Sequence, residues 1–204
     1  MGLTTMRTRI GIIAIQGDVE EHVRAMEKAL AERGEKGEVV KIKHRGLVKS
    51  CDAIIIPGGE STTIGRLMER EGILLEIKEA AEVGKPILGT CAGMVLLAEK
   101  DDEEVARTGQ PLLGLMDVKV KRNAFGRQRE SFEVLLKMSL FDEPVHAVFI
   151  RAPTITQAAK NVEVLATFDG QIVAAKQREI LALSFHPEFT EDIRIHHYFL
   201  ENIL

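Results

Sequence analysis

Cysteine is scarce in this sequence: Cys51 and Cys91 are the two present in 204 residues, too few for a disulfide framework. They sit in no metal-ligand spacing, which points away from a metal site, and a reducing cytoplasm is the simplest setting for them. Long apolar runs are missing too. None reaches the roughly 18 residues of a membrane span, so a helical membrane protein is excluded. A basic excess is also absent: 27 Lys and Arg against 31 Asp and Glu leave a net charge of -4, whereas nucleic-acid binders usually carry a basic face. No internal repeat, low-complexity tract or linker interrupts the chain, so residues 1–204 read as one domain. The opening MGLTTM places Gly2 as N-myristoylation requires, but Met6 stands where that pattern needs Ser or Thr. No signal-peptide cleavage pattern follows, and RIGIIAI reads as a first strand rather than a leader.

What is present is an alternation. After RIGIIAI, Val19, Val23, Met26 and Leu30 recur at three- and four-residue spacing, the apolar face of a helix that Gly34 ends. EVVKIK and CDAIIIP are the second and third strands. TTIGRLMEREGILLEIKEAAEVG is helical with a break near Gly72, KPILGT is the fourth strand, and AGMVLLAEK is a short helix. Continuous Ile, Val and Leu strands joined by helices imply a parallel sheet covered on both faces. The second half is strand-like instead, with Asp169-Gly170 marking a hairpin. The expected fold is α/β, a mostly parallel central sheet with added antiparallel strands. The segment TEDIRIHHYFLENIL closes as a helix that Thr190 would cap, with Glu191 and Asp192 at its positive end.

The chemistry gathers at strand ends. In KPILGTCAGM, Gly-x-Cys-x-Gly lies between a strand and a helix, as in a nucleophile elbow. Backbone N–H groups at a helix N-terminus favour a thiolate and stabilise an oxyanion. The pattern is short, and a cysteine that only packs strand against helix satisfies it equally. Cys51, just ahead of DAIIIP, reads as structural. Of six histidines, His22, His44, His196 and His197 are expected at the surface or facing a partner, and His146 begins a strand. His186 differs. It ends the buried run EILALSF, Pro187 stops the strand there, and Glu188 follows within reach of the same imidazole. A third strand ends at Pro57-Gly58-Gly59, where glycines leave N–H groups open to a ligand; an ordinary turn capped by Ser61 or Thr62 is the plainer account of that segment alone.

Together these elements resemble the class I (triad) glutamine amidotransferases. Within them IQGDVEEH, PGGESTTIGRL, GTCAGMVLLA, RNAFGRQRESFE, FIRAP, VAAKQ and SFHPEFTED are similar to the glutaminase-subunit family of pyridoxal 5′-phosphate synthases, in order and over essentially the whole chain. The resemblance implies a three-layer sandwich on a flavodoxin-like core. It implies Cys91 as nucleophile, His186 as base, Glu188 as its orienter, and Gly59 and Ala92 as oxyanion donors. Gly58, Gly59, Glu60, Arg122, Ile150 and Arg151 would form the glutamine pocket. It further implies a separate synthase subunit that receives the ammonia, met through Gln16 and Gly17, with L-glutamine as substrate and no cofactor on this chain. No phosphate-cradling loop or Schiff-base lysine pattern is present. Three other readings remain at this point: a glutaminase subunit serving another pathway, a cysteine peptidase or stress-type hydrolase on a related fold, against which His186-Pro187-Glu188 argues, and a non-catalytic scaffold that only binds the synthase.

Overall fold

The computed structural model describes residues 7–100, 108–125 and 130–202. Gly2, Met6, residues 101–107 and the 126–129 portion of RNAFGRQRESFE lie outside the described residues. The first half is the expected alternation: β1 (Thr8–Ile13), α1 (Val19–Glu32), β2 (Gly37–Ile42), β3 (Ala53–Ile56), α2 (Ser61–Arg70), α3 (Ile73–Glu82), β4 (Ile87–Thr90) and α4 (Ala92–Leu97). The strands β5 (Ala98–Lys100), β6 (Met116–Lys121), β7 (Ser131–Leu136), β8 (Val145–Ile150), β9 (Thr154–Ala158), β10 (Glu163–Phe168), β11 (Gln171–Gln177) and β12 (Ile180–Leu183) follow, and α5 (Arg194–Glu201) closes the described chain.

The main sheet runs β2-β1-β3-β4-β12-β11-β9-β6-β5, with β10 beside β11. From β2 to β12 every neighbour is parallel, and from β12 to β6 every neighbour is antiparallel. The change comes at β12, which returns to the middle of the sheet and pairs with β4. That parallel order is the flavodoxin-like one, whose ligands sit outside the carboxyl ends of the strands. β3 shows why these residues form this sheet. Ala53 and Ile55 pack with α1 and α5, while Ile54 and Ile56 pack with α2, α3 and α4. A strand buried on both faces needs apolar residues at every position, and each isoleucine so buried contributes about 2 kcal/mol. The two helical layers and the sheet make the three-layer arrangement. The hairpin β7-β8 forms a small second sheet, and Phe149 on β8 packs into the α1 and α5 side of the core.

Two caps differ from expectation. Glu60, not Ser61 or Thr62, begins α2: its carboxylate accepts from Thr62 N at 3.1 Å and Thr63 N at 2.7 Å. A carboxylate satisfies two orphan N–H groups where a hydroxyl satisfies one. Thr190 does not cap α5, which starts at Arg194; its hydroxyl accepts from Asp192 N at 3.2 Å in the preceding turn. Gly72 breaks the long helix as expected, at φ 72° between α2 and α3. An L-residue in that left-handed backbone is strained. Gly72→Ala is expected to lower stability by about 1 kcal/mol, read as a reduced urea midpoint with an unchanged slope.

Candidate active site

β1, β3, β4 and β12 are consecutive across the sheet, and the four segments that follow them meet at one edge. Cys91 follows β4 at φ 48° and ψ -101°, a left-handed backbone for a residue with a Cβ. Such strain persists where the surroundings enforce it and clusters at functional sites. Here the enforcement is visible. Cys91 N donates to Leu183 O on β12 at 2.8 Å. A Cβ on Gly93 would stand 2.1 Å from Ile56 O, and one on Gly89 would stand 2.5 Å from Leu97 Cδ1. The two glycines of Gly-x-Cys-x-Gly therefore let α4 lie against β3 and β4, and the turn between them lifts Cys91 into a left-handed pose. Cys91 Sγ approaches Ile150 O at 3.9 Å.

His186 leaves β12 with its backbone N–H donating to Val148 O at 2.8 Å, and a 3₁₀ turn over Pro187–Phe189 follows. That turn folds Glu188 back under its own neighbour, so that His186 Nδ1 and Glu188 Oε1 are 2.8 Å apart. Both side chains are buried, Glu188 completely. Burial alone would raise the Glu188 carboxyl, but His22 and His186 outweigh it and hold the group far below the usual carboxylate range. Burial likewise opposes a charged His186, yet hydrogen bonds with Cys91 and Glu188 pull it up to about 10. The site thus favours an imidazolium placed between a thiol and a carboxylate. Asp18 Oδ2 lies 3.5 Å from the same Nδ1, and burial pushes the Asp18 carboxyl up against the pull of His186. Asp18, His186 and Glu188 bring three potential metal-ligating atoms within 4.8 Å of one another, but the close pair among them is joined as a hydrogen bond.

These groups open on a cleft of about 350 Å³. Cys91, Ala92, Gly59, Glu60, Arg122, Ile150 and Arg151 line it. Arg122 is held at the rim by its Nη1, which donates to Thr62 Oγ1 at 3.3 Å and Gln110 Oε1 at 3.4 Å. Gly58 sits one layer back: a Cβ there would stand 2.4 Å from His186 Cε1. Gln16 lines the cleft and accepts from Glu60 N at 3.0 Å through its side-chain oxygen. Gly17 packs on Gly58, where a Cβ would stand 1.8 Å from Gly58 O. Gln16 and Gly17 therefore touch the Gly58-Gly59-Glu60 turn directly.

Asp18, Asn123 and Phe189 also line the cleft and were not marked by the sequence pattern. Asp18 stands where a helix cap belongs, yet its side chain makes no capping bond and faces His186 instead. The expectation for two histidines is corrected. His22 and His196 are fully buried, while His44 is exposed and His197 half-buried. His22 faces Glu188 and His196 lies behind it, which a charged flanking pattern does not reveal. Cys51 is the structural thiol expected: it is buried, donates to Leu47 O at 3.3 Å, and burial pushes its thiol up.

Comparison with known proteins agrees with this geometry. Residues 12–204 match the SNO glutamine amidotransferase family. A Methanococcoides burtonii protein named pyridoxal 5′-phosphate synthase subunit PdxT is 61% identical, with 96% of this chain and 98% of that one covered. A protein of the same name from Methanocella arvoryzae is 62% identical over 96% and 97% of the two chains. A crystal structure described as a glutamine amidotransferase superposes with a TM-score of 0.83 at 42% identity, covering 95% of this chain and 98% of that one.

Two outcomes follow from the geometry. Gly93→Ala should lower stability by about 3 kcal/mol, because backbone blocks the new methyl and cannot swing aside, measured by chemical denaturation. The His186 imidazolium is favoured more in the folded chain than in the unfolded one. Its contribution to stability is therefore complete below about pH 6.5 and fades as pH rises through about 10. The gap in melting temperature between wild type and His186→Asn should narrow over that interval.

Proposed function

This chain belongs to the SNO glutamine amidotransferase family, and on that premise we propose that it is the glutaminase subunit of a pyridoxal 5′-phosphate synthase, hydrolysing L-glutamine and passing the ammonia to a synthase subunit. The observation that carries this reading is the junction of Cys91 with the His186–Glu188 pair in a cleft large enough for an amino acid. The names borne by relatives that match over nearly their whole length support the pathway.

The Cys91 thiolate attacks the γ-amide carbon of glutamine, and charge develops on the carbonyl oxygen. Backbone N–H groups of Ala92 and Gly59 receive that charge, at a typical worth of about 3 kcal/mol per donor. The imidazolium of His186 gives its proton to the amide nitrogen, the carbon–nitrogen bond breaks, and ammonia leaves. The glutamyl thioester that remains is attacked by water, whose proton His186 accepts, and the thiolate departs from glutamate. Glu188 keeps the imidazole oriented through both steps. Arg122, whose guanidinium suits the α-carboxylate, holds the far end of the substrate together with Glu60 and the Ile150-Arg151 backbone. Every step uses side chains and backbone of this chain, and two unpaired cysteines fit work in the cytoplasm.

Gln16 and Gly17 are where we place the contact with the synthase. They border the Gly58-Gly59 turn, so a partner pressing on them would reach an oxyanion donor with no intermediate. Glutamate release is therefore expected to be slow for the isolated chain and to rise by on the order of tenfold or more with the synthase. Cys91→Ala should abolish it in both states, a loss of at least about 10⁴-fold. Equal wild-type rates with and without the synthase would remove the partner role of Gln16 and Gly17. Undiminished release by Cys91→Ala would overturn the enzyme assignment.

A further inference from the structure

α1 brings to the triad a side chain that the chemistry above leaves unused. His22 is fully buried, and its Nε2 lies 3.3 Å from Glu188 Oε1 and 3.0 Å from Thr90 Oγ1. Glu188 Oε1 is the same oxygen that meets His186 Nδ1. The Thr90 hydroxyl can donate or accept, but a carboxylate oxygen only accepts, so the approach to Glu188 is favourable with the hydrogen of His22 on Nε2. His22 Nδ1 has no hydrogen-bond partner among the described residues.

Building on the triad reading, we propose that His22 is a positioning residue. Its Nε2–H holds Glu188 in the orientation that His186 needs, and Thr90 ties both to the strand end that carries Cys91. The physical demand is clear. Glu188 has a side chain without solvent exposure, and a buried carboxylate with a single partner is costly. The groups that face it come from four directions. His186 shares its own turn, and His22 comes from α1. His196 stands behind on α5, 6.4 Å from His22 between ring centroids, and burial pushes it down to about 3, which leaves it neutral. Asp18 lies on the cleft side and is a second carboxylate, which repels rather than supports. His22 is thus the second donor that keeps Glu188 ionised. Thr90 immediately precedes Cys91, so one imidazole spans the orienter and the nucleophile's strand.

The test reads Cys91 alkylation by iodoacetamide in the isolated chain across pH, which needs neither glutamine nor partner. His22→Phe keeps a ring and deletes the donor. Glu188 then supports the His186 imidazolium less well, and the half-maximal pH of alkylation should rise by about one unit, the size of a lost charge-assisted hydrogen bond. His22→Gln, whose amide can donate, should recover at least about half of that displacement. With the synthase present, His22→Phe should lower kcat about tenfold and leave KM within about twofold, since His22 does not line the cleft. A His22→Phe profile superimposed on wild type overturns the proposal. His186→Ala separates the two readings: an unmoved profile there means that the triad itself is wrong, whereas a displaced one beside an unmoved His22→Phe removes only the positioning role. If His22→Phe fails to fold, long-range proton–nitrogen spectra of the wild-type imidazoles decide. A proton on His22 Nε2 upholds the proposal, and a tautomer protonated at Nδ1 alone overturns it.

Discussion

The site depends on the register of four parallel strands. Ile12 lies opposite Ile55, Ile56 opposite Gly89, and Leu183 opposite Thr90, so β1, β3, β4 and β12 end side by side. Each end releases one component: Gln16 and Asp18, then Gly58 and Gly59, then Cys91, then His186 and Glu188. A shift of one residue in any pairing would turn that strand's side chains to the other face and move its component out of reach. Most of the buried isoleucine in the first half serves to hold that level edge.

The same edge explains the electrostatics. A carboxylate sunk completely into protein is costly unless other groups compensate it, and Glu188 is compensated by imidazoles from two different elements. His186 in turn is charged more readily than an exposed histidine because the thiol on one side and the carboxylate on the other outweigh its burial. His186 and Glu188 each favour the other's charged form, while Glu188 disfavours ionisation of Asp18. The arrangement also brings the helix layer on the α1 side, through His22, into contact with Glu188.

Much of this was legible in the chain. The strand run DAIIIP, the break at Gly72 and the Asp169-Gly170 hairpin follow from periodicity and turn chemistry, and each stands where expected. Gly-x-Cys-x-Gly and His186-Pro187-Glu188 were readable because they are short-range constraints: the elbow and the turn are made by neighbouring residues. The misreadings were all at helix boundaries and helix faces. Glu60 took the cap assigned to Ser61 or Thr62, and α5 began later than Thr190 suggested. His22 and His196 looked solvated because Glu20, Glu21 and His197 surround them in sequence, yet a helix shows its inward face at three- and four-residue steps that flanking charge does not report.

What the amino-acid order determined by itself was local: a strained cysteine between two glycines, a histidine stopped by proline with a carboxylate two residues on, and an alternating pattern that builds a parallel sheet. Only the tertiary structure decided which distant groups meet there. Asp18 and His22 lie at the start of α1, far in sequence from His186 and Glu188, and no spacing rule connects them. They come together because β1 and β12 flank β3 and β4 in one sheet and α1 packs back across it. Hydrogen bonds and charges inside that enclosed cluster then shift the proton affinities of His186 and Glu188 against the effect of burial.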